Sequence, residues 1–136
     1  MTAALDDAHA RLRGDEVLWL TTVDDSGQPQ SSPVWFHWDG EDALVLSQPG
    51  AAKVANIARH APVSLHLNGG EAGTLVVSIE ATATTGRPLD DARRSAYAAK
   101  YRHGFARLGT DADSYFAEFS TAIVAQPHRV RCFDTE

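Results

Sequence analysis

The chain predicts an α+β, mainly β fold: a six-stranded antiparallel barrel with short flanking helices. Two observations carry this expectation. Short runs of β-branched and aromatic residues are broken by turns such as Asp24-Asp25-Ser26-Gly27 and Asp39-Gly40, which is hairpin chemistry and not that of a parallel sheet. One short helical stripe, Ala51 to His60, interrupts the strands after the third of them. At 136 residues the chain reads as a single domain, with 1–14 as an N-terminal helix and 15–133 as a barrel with helical insertions. A domain of that length buries roughly two thirds of its unfolded surface.

Thr2 to Arg13 places Leu5, Ala8 and Leu12 at helical spacing among charges, and Gly14 ends it. Glu16 to Val23 is strand-like with apolar residues on both faces, which predicts burial on both sides. The second strand runs from about Gln30 to Trp38 and the third from Ala43 to Ser47. Val54, Ala55, Ile57 and Ala58 form the stripe of the short helix, stopped by Pro62. Val63 to Leu67 and Leu75 to Thr85 are strands joined by Asn68-Gly69-Gly70, with Glu80 putting one face toward solvent or a subunit boundary. Asp90 to Arg102 is a helix, Gly104 to Thr110 a loop, and Ala112 to Phe119 a further helical segment. Ala122 to Phe133 closes the sheet, and Pro127 within it predicts an edge or a bulge.

Composition narrows the function classes. A net charge of −6 with no basic stripe argues against nucleic-acid binding. The apolar runs are far shorter than the roughly 20 residues a membrane-spanning helix needs, and no secretory signal is visible. The single Cys132 excludes an intrachain disulfide and fits a reducing cytoplasm. Ten of the 12 basic residues are Arg, with Lys53 and Lys100 the only lysines. That bias, with abundant Ala, suggests a GC-rich genome.

The six histidines form no HxxxH or HExxH pair, so no metal site is predicted. No nucleophile elbow, P-loop or GxGxxG appears, and Ser31-Ser32 has no evident general base. Pro49-Gly50 opens the short helix, so its free N–H groups and positive dipole end can face an anion, with Lys53 in the first turn adding a charge. Trp35-Phe36-His37-Trp38 puts Trp35 and His37 on one strand face and Phe36 and Trp38 on the other. One pair belongs to the core; the other lines a cavity or a subunit interface. Arg93-Arg94 reads as a solvated face or an anion contact.

The array TVDDSGQPQSSPVWFHWDG, then LVLSQPGAAKVANI, then PVSLHL resembles the split β-barrel flavin and deazaflavin oxidoreductases, of which pyridoxamine 5′-phosphate oxidase is the eponym. It is similar in particular to their small actinobacterial F420-dependent branch. The resemblance covers Val17 to Phe133 and implies a homodimer with a cofactor groove between subunits. It implies that Ser32, Pro33, Val34 and Trp35 run along the cofactor ring, and that Ser47, Gln48, Ala51, Ala52 and Lys53 hold its phosphate. Relatives that bind flavin mononucleotide carry an arginine beside the lysine, where this chain has Ala52. A phosphodiester needs less charge there than a terminal phosphate. The expectation is therefore an F420-dependent oxidoreductase acting on a small electron-poor molecule, with flavin mononucleotide (FMN) as the alternative cofactor. A non-catalytic flavin, F420 or haem carrier is the alternative from another class. No catalytic residue is assigned; His37, Ser31 and Tyr97 are candidates for proton supply. Dimerisation would cover apolar strand faces at Trp19, Trp35 or Trp38, and Val76 to Ile79.

Overall fold

The computed structural model describes residues 3–134. In chain order its elements are α1 (Ala3–Gly14), β1 (Val17–Val23), β2 (Pro29–Trp35), β3 (His37–Trp38), β4 (Ala43–Ser47), α2 (Ala52–Arg59), β5 (Pro62–His66), β6 (Leu75–Thr85), α3 (Asp91–Arg107), α4 (Ala112–Glu118) and β7 (Thr121–Asp134). The strands form one antiparallel sheet in the order β2-β1-β5-β6-β7-β4-β3. β2 and β3 are consecutive in the chain yet occupy opposite edges. The sheet therefore curls until its two edges are neighbouring halves of one bent strand. The predicted six strands are these seven counted with β2 and β3 as one.

The bend is a single residue. Val17 faces Trp35 across β1–β2, and Leu44 faces His37 across β3–β4, which leaves Phe36 in neither ladder. Phe36 is fully buried, so its backbone groups need partners from elsewhere. Tyr101 on α3 supplies one: its Oη accepts from the Phe36 N–H at 2.7 Å. The hydroxyl proton goes to the Glu16 carbonyl at 2.6 Å, with the Phe36 carbonyl 2.9 Å away. Lys100 Nζ donates to that same carbonyl at 2.9 Å and sits 3.8 Å from the centre of the Phe36 ring.

Two cores lie on either side of the sheet wall. Inside the barrel are Leu18, Leu20, Phe36, Trp38, Val45, Leu65, Ile79 and Ile123, with Ala8 and Leu12 of α1 and Ile57 of α2. α1 is fastened by the Trp38 indole N–H donating to His9 Nδ1 at 3.2 Å. On the outer face of β4 and β7, α3 and α4 pack an aromatic cluster of Tyr97, Tyr101, Phe105, Tyr115 and Phe116 with Leu44 and Leu46. Asp90 and Asp111 cap these helices by accepting from the N–H of Arg93 and Ser114.

Several expectations need correction. β1 is buried on one face only; Val17, Trp19, Thr21 and Val23 on the other are half-covered. α3 runs through Gly104 to Arg107, so the segment expected as a loop begins as helix. The glycine there answers to packing and not to helix termination. Trp38, Val77 and Ile79 are core residues, and Trp35 stacks on Tyr101 within the same chain. Trp38, Val77 and Ile79 therefore offer no free apolar face, whereas Trp35 is half-buried and borders an open cavity. Arg93 lies near three carboxylates, those of Asp39, Asp42 and Asp90, while Arg94 covers the Phe116 ring. Pro127 does sit at a bulge: Glu80 pairs with Arg129 and Ala81 with Pro127, leaving His128 as the extra residue.

Tyr101→Phe should cost about 1–3 kcal/mol in urea unfolding, the cost of leaving a buried backbone group without its partner. Lys100 gives a pH dependence. Burial pushes its ammonium down to about 8, with Asp15 and Glu16 opposing. The unfolded chain keeps that proton up to about 10.5, so stability rises with pH between those values and levels off above them. The stability of the protein relative to its Lys100→Met variant should grow across that window, and a flat difference would remove Lys100 as its cause.

Candidate functional site

The end of the barrel under α2 carries polar residues where the interior would otherwise be apolar. On β1, Thr22 follows Leu18 and Leu20 on the inward face and is 2% exposed. Its Oγ1 accepts from Asn56 Nδ2 of α2 at 3.0 Å, which anchors the helix across the barrel mouth. α2 has Ala51 at its N-cap, with no side-chain cap. The Val54 N–H donates to the Ala51 carbonyl at 3.1 Å, so the N–H groups of Ala52 and Lys53 are the ones that keep their donors for another partner. Lys53 lies in that turn, half-buried, and burial holds its ammonium below the usual lysine range.

Two cavities meet at Lys53. One, about 360 Å³, is polar and is lined by Thr22, Asp24, Gln30, Ser31, Ser32, Ala52 and Asn56 besides the lysine. The other, about 320 Å³, is apolar, with Pro33, Val34, Trp35, Leu46, Leu108, Tyr115 and Phe119 around it. Trp35 stacks on Tyr101 with ring centres 4.5 Å apart and an interplanar angle of 4°, and Tyr115 stacks on Phe119 at 4.4 Å. Asp24 stays ionised: N–H groups of Gln28 and Ser26, the Ser26 hydroxyl and the Gln30 amide all donate to it, holding its carboxyl at about 2. Among the described residues lining the two cavities, Lys53 is the only cation and Asp24 the only carboxylate.

The family model described as pyridoxamine 5′-phosphate oxidase matches residues 5–131. The chain belongs to that family. No curated relative matches it by sequence. Among solved structures, a protein named F420 reductase shares 19% identity and a TM-score of 0.67, covering 90% of this chain and 94% of that one. HutZ from Vibrio cholerae, named as a haem storage protein, shares 17% identity with a TM-score of 0.72, covering 97% and 96%. General Stress Protein 26 from Bacillus anthracis shares 16% with a TM-score of 0.72, covering 96% and 94%. Likeness at these identities establishes the fold. No helix among the described residues is long and apolar enough to cross a membrane.

In this member of the pyridoxamine 5′-phosphate oxidase family, Ser32, Pro33, Val34, Trp35, Ala52 and Lys53 line the paired cavities. Ala51 is the helix N-cap. Ser47 and Gln48 are outside both linings: Ser47 is buried with its hydroxyl donating to the Gln48 carbonyl, and the Gln48 amide donates to Glu118 at 2.9 Å. Of the proton-supply candidates, Ser31 lines the polar cavity and shares a 2.7 Å hydrogen bond with Thr21. His37 is half-buried outside both linings and is held below its usual range, chiefly by burial. Tyr97 is fully buried against Tyr115, 3.2 Å between hydroxyls, and burial drives its phenol far upward. Sequence reading missed Asp24, Asn56, Leu108, Tyr115 and Phe119. Asn56, four residues before His60 on the buried stripe of α2, is the one polar residue there, which is the signal the sequence carries for it.

Lys53→Met should leave the melting temperature of the ligand-free protein unchanged or higher, since burial already disfavours the charge. The same substitution should weaken phosphate-ligand binding by about 1.5–3 kcal/mol, roughly ten- to a hundredfold. Titration calorimetry beside thermal unfolding separates the two effects.

Proposed function

We propose that the protein is a cytoplasmic, homodimeric F420-dependent oxidoreductase, transferring a hydride between reduced F420 and a small electron-poor organic substrate. The observation that carries this reading is the single lysine, next to uncapped helix amides, where a polar and an aromatic cavity meet. A ligand with a planar ring, a hydroxylated chain and a phosphate carries a group for each of these three environments. Trp35, Pro33 and Val34 would border the ring. Ser31, Ser32 and the Asp24 carboxylate would face the hydroxyls. The Lys53 ammonium and the N–H groups of Ala52 and Lys53 at the start of α2 would meet the phosphate.

Charge favours F420 over FMN. The lining combines one cation with one carboxylate, and Ala52 adds none, so a phosphodiester monoanion suits it better than a terminal phosphate dianion. F420, when bound, supplies the hydride; the chain's own residues orient the ring and exclude water on the aromatic side. A haem carrier is supported less well. Tyr115 is the one described lining residue with an imidazole, thiol, thioether or phenol to offer iron, and burial pushes its phenol upward. Support for the homodimer comes from the half-covered outer face of β1, with Trp19 stacked on His66 beside Thr21 and Val23. A stable monomer by sedimentation at micromolar concentration would remove the groove between subunits.

Ala52→Arg tests the charge argument. It should strengthen FMN binding through a bidentate phosphate contact and strengthen F420 binding less, moving the preference toward flavin. Equal gains for both cofactors would sink the argument. Turnover of a panel of conjugated substrates with reduced F420 separates an enzyme from a carrier.

A further inference from the structure

Gly104 lies inside α3, a position where alanine is the better helix former. It is not among the glycines with positive φ, so its backbone does not require glycine. Trp35 does. A Cβ on Gly104 would lie 2.8 Å from Cη2 of the indole, 3.0 Å from Cζ2 and 3.5 Å from Cζ3, against an optimal carbon–carbon separation of about 3.5–4.0 Å. The atoms it meets are those of the rigid six-membered ring, which cannot bend aside. Tyr101 is stacked on the same indole, while Phe105 and Tyr115 pack on it at 6.0 Å and 5.4 Å. The open volume beside Trp35 is the aromatic cavity, which the indole itself lines. A displaced ring goes there.

We infer that Gly104 sets the width of the aromatic cavity: it seats Trp35 flat against α3, and any side chain at 104 swings the indole into the space a fused three-ring ligand needs. This rests on the proposed cofactor site for the identity of the ligand, but not for the geometry. Gly104 is thus a positioning residue acting through Trp35, and it selects on ring size while leaving the phosphate end at Lys53 untouched.

Gly104→Ala, Trp35→Phe and the double variant form the test, because phenylalanine lacks the indole atoms that the new methyl would meet. Gly104→Ala should lower F420 and FMN affinity by about tenfold or more and keep the affinity for inorganic phosphate within about twofold. It should also melt below the unmodified protein, although a helix position of no other importance would gain from alanine. In the Trp35→Phe background the same change should cost no ring affinity and no melting temperature. If Gly104→Ala does not fold, the double variant folding and binding like Trp35→Phe alone supports the inference. Unchanged ring affinity, a raised melting temperature, or losses that simply add in the double variant would overturn it. If the unmodified protein binds neither F420 nor FMN, the cofactor reading fails. The steric claim is then decided by melting and near-ultraviolet circular dichroism: a lower melting point and weakened aromatic signal confined to the Trp35 background sustain it, and an alanine gain ends it.

Discussion

The barrel depends on how the backbone N–H and carbonyl of one buried residue are satisfied. The strand leaves the β1 ladder at Trp35 and joins that of β4 at His37, so the N–H and carbonyl of Phe36 between them would be orphaned inside the protein without α3. Tyr101 and Lys100 supply the partners from adjacent positions of that helix. The contact that permits the bend also fixes α3 on the outer wall. Trp35, the residue before the bend, is thereby placed against Tyr101 and Gly104. Closure of the barrel and construction of the aromatic cavity are consequences of the same interaction.

Much of this was legible in the residues. β4 and β6 have the boundaries their β-branched runs predict, and Pro127 marks a bulge. The alternation of Phe36 and Trp38 into the core with Trp35 and His37 outward survives the bend. The break at Phe36 was not legible, because nothing local distinguishes it; the partners are about 65 positions away in the chain. Gly104 was misread for a related reason. A glycine near the end of a helical pattern usually means termination, and only the distant Trp35 reveals that a missing Cβ was needed. For the site, local turn chemistry pointed to Lys53, whereas Tyr115, Phe119 and Leu108 arrive by tertiary packing of α4 and the end of α3.

The electrostatics of the site are modest and balanced. Lys53 is half-buried without a carboxylate partner among the described ion pairs, so it loses hydration and recovers little until an anion arrives. Asp24 is held as an anion by four donors, three from its own turn and one from Gln30 on β2. It opposes excess negative charge in the polar cavity while remaining an acceptor for hydroxyls. An arginine clamp would override that balance; alanine at position 52 leaves it in force.

That balance can be measured without altering the chain. Dissociation constants of the purified protein for F420, FMN and haem, determined side by side at one ionic strength, report which ligand the two cavities accept. F420 should bind tighter than FMN by about tenfold or more, with the FMN affinity falling further as pH rises through the second phosphate ionisation. FMN or haem binding as tightly as F420 would show that the charge balance at Lys53 and Asp24 does not select the ligand.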